Sequence, residues 1–151
     1  MNKVYSVSDL MTLSPDTVEL ETPIREVLVR MKEDGCRQLP VLDDDKRLVG
    51  IVTDRDVRLA MNSPLILRER WQDETLLDTV LAGSCMTSDP ITVTPDTPAY
   101  RAAEILSVYK FGALPVVDGD TLVGIVSVTD FLDEFAEEQR IMSGVQETVD
   151  E

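Results

Sequence analysis

Two stretches of this chain carry one pattern. Residues 10–56, LMTLSPDTVELETPIREVLVRMKEDGCRQLPVLDDDKRLVGIVTDRD, are echoed by residues 85–130, CMTSDPITVTPDTPAYRAAEILSVYKFGALPVVDGDTLVGIVSVTD. Met11 aligns with Met86 and Pro40 with Pro115 at one constant offset. Gly50 aligns with Gly124 at an offset one residue shorter, so the second copy has lost a residue in its hairpin turn. A repeat of this size is one supersecondary unit, and copies stack to bury faces that neither can bury alone.

Each copy predicts the same elements. Met-Thr leads into a short extended piece, residues 17–20 or 91–93. Thr22-Pro23 and Thr97-Pro98 then offer a hydroxyl as N-cap and a proline as first helical residue. Ile24, Val27, Leu28 and Met31 follow at helical spacing, as do Ala102, Ile105, Leu106 and Tyr109. Gly35 and Gly112 stand where a left-handed terminator is expected. Two short apolar strands come next, LPVL to LVGIVT and LPVV to LVGIVS, joined by Asp-rich turns; Asp-Gly between apolar runs is a strong hairpin signal. A second helix opens at residues 54–60 and again at 129–138. The fold class is α+β, each repeat running strand, helix, strand, strand, helix.

The repeats divide the chain into a first domain at 7–62, a helical linker at 63–82, a second domain at 83–138 and a polar, fraying tail at 139–151. In the linker, Pro64 breaks the chain early and residues 67–81 can form a helix. Trp71 serves there as a packing residue or at a subunit contact.

Composition narrows the function. With 43% hydrophobic residues but 5% aromatic, the core is aliphatic. The 14 Lys+Arg against 29 Asp+Glu give a formal charge of -15, and no basic stripe is present, which argues against nucleic acid and against an anionic membrane surface. Any phosphate site has to be locally basic within an acidic whole. Cys36 and Cys85 are the only cysteines, they do not form a close pair, and there is no His to complete a zinc set; two reduced thiols and no long apolar run predict a cytoplasmic protein. Without His, a based nucleophile, a Gly-rich phosphate loop or a metal set, the chain does not read as an enzyme. The Asp43-Asp44-Asp45 run reads as a solvated turn.

Two marks, each present twice and in order, resemble the CBS domain family. One is a glycine followed by Leu-Pro-Val, at 35–41 and 112–116. The other is Gly-apolar-apolar-Thr/Ser-x-x-Asp, at Gly50 to Asp56 and Gly124 to Asp130. The resemblance covers nearly all of residues 7–135, and the Thr-Asp-Arg-Asp-Val segment is similar to stand-alone bacterial CBS proteins of the acetoin-utilisation type. It implies two repeats packed as a pseudo-twofold pair, a Bateman module. Two clefts between them would each take AMP, ADP, ATP or S-adenosylmethionine in an energy-sensing, regulatory role without catalysis. It also implies a homodimer and a separate protein target. A module that serves only dimerisation or protein interaction, with vestigial clefts, is the alternative.

Carried over by position, the resemblance implies one site of Thr12, Asp16, Cys36 and Arg37 with Ser127, Thr129 and Asp130. The other joins Thr87, Ile91, Phe111 and Gly112 to Thr53, Arg55 and Asp56. The chemistry agrees. A carboxylate such as Asp56 or Asp130 can accept both ribose hydroxyls, and hydroxyls with free N–H groups at a helix start suit phosphate. Thr53 with Asp56, and Ser127 with Asp130, equally read as N-terminal capping boxes, a role compatible with the first. Arg37 and Arg55 are phosphate partners or exposed salt-bridge formers, and Lys110 is a further candidate. Asp16 sits where the second repeat has Ile91, so the two sites are expected to differ in affinity. Cys36 also raises a redox-sensing reading.

Overall fold

A computed structural model of the chain describes residues 3–61 and 70–144. The elements run α1 (Val7–Leu10), β1 (Thr12–Leu13), β2 (Val18–Glu19), α2 (Ile24–Asp34), β3 (Gln38–Leu42), β4 (Leu48–Thr53), α3 (Asp54–Met61), α4 (Arg70–Thr79), α5 (Ala82–Cys85), β5 (Thr87–Ser88), α6 (Ala99–Tyr109), β6 (Ala113–Asp118), β7 (Thr121–Ser127) and α7 (Val128–Ser143). The expected extended piece at 91–93 is reduced to a single parallel bridge, Val93 to Val116.

The long helix of each repeat forms because its apolar residues fall on one stripe. Ile24, Val27 and Met31 are buried in α2, and Ala99, Ala102 and Leu106 in α6. Both helices start one residue later than the Thr-Pro pairs predict. Pro23 and Pro98 have extended ψ values of 148 and 136 and are themselves the caps. Thr22 and Thr97 instead turn back, their hydroxyls accepting from the Glu19 and Thr94 N–H groups at 2.9 and 3.0 Å. At the other end Gly35 is left-handed, φ 64, as expected. Gly112 is not the terminator of α6. Lys110 takes that role at φ 61, because the reversal has to follow the last helical residue directly. A side chain in that conformation costs on the order of 1 kcal/mol.

The apolar runs pair as two hairpins, β3 with β4 and β6 with β7, each with a register shift near its turn. Pro40 and Pro115 lie inside the first strand of each hairpin. β2 reaches only Val41 and Leu42 of β3, so the flank of β3 at Pro40 takes no further strand; proline has no N–H with which to hold one.

The repeats then exchange their leading strands. β1 pairs with β7 (Thr12 opposite Ile125, Leu13 opposite Gly124), and β5 pairs with β4 (Thr87 opposite Ile51, Ser88 opposite Gly50). The sheets are therefore β1-β7-β6 and β2-β3-β4-β5. The two exchanges occupy equivalent positions, and reciprocity of that kind is what a two-fold relation produces. The cores follow the exchange: Val7 is buried with Ala102, Leu114, Val116 and Val126, while Ala82 is buried with Ile24, Val27, Leu39 and Val52.

The described part of the linker is α4. Arg25 of α2 holds it, with Nε 2.7 Å from Asp78 and Nη2 2.6 Å from Glu74. That guanidinium keeps the Asp78 carboxyl below the usual carboxylate range. Pro64 and residues 67–69 lie outside the described residues, as does the side chain of Trp71. Past Glu138, α7 continues to Ser143, with Glu137 and Arg140 paired one turn apart, and ends on Gly144 at φ 75; the rest of the polar tail lies outside the described residues. No described helix is long and apolar enough to cross a membrane.

Candidate functional site

The strand exchange leaves two cavities, each walled by both repeats. The first, of about 630 Å³, is lined by Thr12, Ser14, Pro15, Asp16, Asp34, Cys36, Gln38, Leu39 and Pro40, with Ile125, Ser127 and Asp130 facing them. The second, of about 350 Å³, is lined by Thr87, Pro90, Ile91, Lys110, Phe111, Gly112, Ala113 and Pro115, facing Ile51, Thr53, Asp54, Arg55 and Asp56; Arg37 and Gln38 complete it. Both volumes suit a small ligand.

The linings correspond through the repeat: Thr12 to Thr87, Pro15 to Pro90, Asp16 to Ile91, Cys36 to Phe111, Pro40 to Pro115, Ile125 to Ile51, Ser127 to Thr53, Asp130 to Asp56. Even the strained residue recurs. Ser14 and Asp89 both hold φ 48, turning the chain out of the crossing strand toward Pro15 or Pro90.

At the head of each cavity the capping box is formed. The Thr53 N–H donates to Asp56 Oδ2 at 2.9 Å, and the Asp56 N–H donates to Thr53 Oγ1 at 3.1 Å. Ser127 and Asp130 repeat this at 2.8 and 3.3 Å. Each aspartate is thereby locked at a strand-to-helix junction with Oδ2 engaged, which leaves Oδ1 for the cavity.

Of the residues expected at the first site, Thr12, Asp16, Cys36, Ser127 and Asp130 come together. Arg37 does not join them; it lines the second cavity. Its carbonyl accepts the Asp54 N–H at 2.9 Å, which pins Arg37 beside the start of α3, next to Arg55 and Asp56. Thr129 does not line the first cavity either. It lies one residue from Asp130 on the first turn of α7, about 100° round the helix, and its side chain is short. Its counterpart Arg55 is long enough to line the second cavity. All seven residues expected at the second site, Thr53, Arg55, Asp56, Thr87, Ile91, Phe111 and Gly112, line it together, and Lys110 joins them.

Residue-level reading missed Asp34, Gln38 and the proline pairs. The prolines were findable, since Pro15 and Pro90, like Pro40 and Pro115, occupy equal places in the repeat. Gln38 was not, because it lines both cavities. Asp34 takes part in a carboxylate pair: hydrogen bonding to Asp16 and then burial hold its carboxyl above the usual range. Burial likewise pushes up the Cys36 thiol, with the charges of Asp34 and Asp16 adding to it. That shift disfavours the thiolate that redox sensing needs. In the first hairpin turn, Asp43 Oδ1 accepts the Asp45 and Arg47 N–H groups, both at 2.9 Å, a turn-closing role.

A CBS domain family profile matches residues 7–63 and 82–137, and the chain belongs to that family. It is 35% identical over 128 residues to a CBS domain-containing protein of Dictyostelium discoideum, covering 84% of this chain and 88% of that one. Some relatives are much longer; the chain spans 22% of an inosine-5'-monophosphate dehydrogenase of Korarchaeum cryptofilum, at 35% identity over 83% of its own length. Among solved structures, the acetoin utilization protein AcuB of Vibrio cholerae superposes with a TM-score of 0.76 at 26% identity, over 96% of this chain and 100% of its own. CBSX2 of Arabidopsis thaliana, in complex with AMP, gives 0.73 at 29% identity over 90% of this chain and 99% of its own. The CBS domain pair of protein MJ0100, in complex with 5'-methylthioadenosine and S-adenosyl-L-methionine, gives 0.75 at 26% identity with the same coverage.

Proposed function

We propose that this chain is a regulatory module that binds an adenine nucleotide or adenosyl compound in its inter-repeat clefts and performs no catalysis of its own. One observation carries the reading. Asp56 and Asp130 are each fixed by a capping box at the head of a cleft, with one carboxylate oxygen left to accept the paired hydroxyls of a ribose. Apolar residues line part of each, Pro40, Leu39 and Ile125 in one cleft and Ile51, Phe111 and Pro115 in the other, a setting that suits a flat base. The AMP held by CBSX2 and the adenosyl compounds held by MJ0100 support the same ligand class.

Because each cleft is walled by both repeats, bound ligand shifts the population of their relative orientation, which a separate protein target reads. Leu132 and Phe135, 61% and 64% exposed on α7, support pairing with a second copy. The test is calorimetric titration with adenosine, AMP, ADP, ATP and S-adenosylmethionine, paired with light scattering. Weakening of adenosine binding by both Asp56→Ala and Asp130→Ala, in variants that stay folded, is expected. Absence of heat and of thermal shift with all five ligands would leave a dimerisation module with vestigial clefts.

A further inference from the structure

The two clefts share one plan, but the charges placed on it differ between the repeats, and they differ in one direction. Where the first repeat has Gly35, the second has Lys110; where the second has Gly112 and Thr129, the first has Arg37 and Arg55. All three cations line the second cleft. In exchange, Asp16 and Asp34 occupy the places of Ile91 and Tyr109, and both line the first cleft.

We propose that the clefts are charge-sorted: a phosphate-bearing adenosine ligand enters only the cleft of Arg37, Arg55 and Lys110, at one per chain, and the cleft of Asp16, Asp34 and Asp130 excludes it. This rests on the reading that both clefts accept adenosyl compounds. Among the described residues Arg37, Arg55 and Lys110 make no ion pair, so their charge is available to an incoming phosphate. Two carboxylates lie beside them, Asp56 and Asp54, and Asp54 is paired with Arg58 at 2.9 Å, so the three cations outnumber the acids in this cleft. All three cations are exposed, which places the phosphate at the rim and the base against Ile51, Phe111 and Pro115.

Among the described residues the first cleft has three lining carboxylates and no lining cation. The Arg30 guanidinium approaches Asp16 at 3.3 Å, but it is shared with Glu26 at 2.9 Å and with the Thr17 carbonyl, and it does not line the cleft. In a chain of formal charge -15, a local surplus of cations is needed to hold an anion, and among the described residues the second cleft has one and the first does not.

The test is calorimetry on the full chain with adenosine and with AMP. AMP is expected to saturate at one per chain and to bind at least about tenfold tighter than adenosine, the scale of one charge-assisted contact. That margin should shrink with added salt. Arg37→Ala and Arg55→Ala should each cut AMP affinity about tenfold while leaving adenosine affinity and the melting temperature unchanged. AMP affinity should fall further with Arg55→Ala than with Asp130→Ala. Two equal AMP sites, or AMP binding lost with Asp130→Ala and kept with Arg55→Ala, would overturn the proposal. Adenosine binding to which a phosphate adds nothing would sink the charge sorting alone; failure of every adenosyl compound would sink the underlying reading with it.

Discussion

The side-chain oxygen of Gln38 lies 2.9 Å from the point that a Cβ on Gly112 would occupy. One residue is in the first repeat and the other in the second, and Gln38 lines both clefts. Its repeat counterpart is Ala113, so this amide has no symmetric partner. The obstacle to a methyl group at Gly112 is the far end of a flexible side chain, which can move aside. Gly112→Ala is therefore expected to cost less than about 1 kcal/mol of stability, within the range of surface changes. It should nevertheless alter ligand affinity by displacing the Gln38 amide. Urea denaturation beside a binding titration reads both effects, and a loss above that bound would place a rigid group against Gly112.

Gly50 and Gly124 are a different case. A Cβ at Gly50 would meet the Met86 side chain and stand 2.9 Å from the Thr87 carbonyl oxygen; at Gly124 it would stand 2.8 Å from the Thr12 carbonyl oxygen and from Met11 Sδ. The carbonyls belong to the exchanged strands and cannot swing away. Gly50→Ala and Gly124→Ala should each destabilise by about 1–3 kcal/mol, as overpacking does. Chemical denaturation measures this, and near-neutral substitutions would mean that the exchanged strands are not held tightly.

Asp34 links the first cleft to pH. Its carboxyl is raised in the folded chain, chiefly by the hydrogen bond to Asp16, so folding favours the protonated form. That contribution is fully present below the ordinary aspartate value near 3.9 and is lost as pH rises through the higher folded value. Asp34→Asn should remove this loss and melt higher than the parent at neutral pH. Thermal melts across the acid-to-neutral range decide the point; a lower neutral melting temperature would contradict it.

Asp78 has the opposite sign. Arg25 depresses its carboxyl, so its contribution is present above the ordinary aspartate value and falls away as pH drops through the folded one. Arg25→Met should flatten that acid limb and raise hydrogen exchange in α4, which the guanidinium ties to α2. Exchange confined to other segments would rule out the clamp.

Much of the site was legible from sequence because its parts are local. The boxes of Thr53 with Asp56 and Ser127 with Asp130 span three residues, and the hairpin turns are equally short-range. What escaped depended on neighbours distant in the chain. Arg37 follows Cys36 directly, yet the two line different clefts, since Arg37 is pinned to the start of α3 by the Asp54 N–H. Lys110 rather than Gly112 reverses α6, a choice made by where the helix stops.

By itself the sequence determined the duplicated unit, its order of strands and helices, and the carboxylate at each strand-to-helix junction, because periodicity and capping act within a few residues. Only the tertiary structure decided that β1 and β5 change places, that Gly50 and Gly124 admit them, and that three cations gather on one side. Those outcomes follow from pairing and packing between residues far apart in the chain, which no local pattern records.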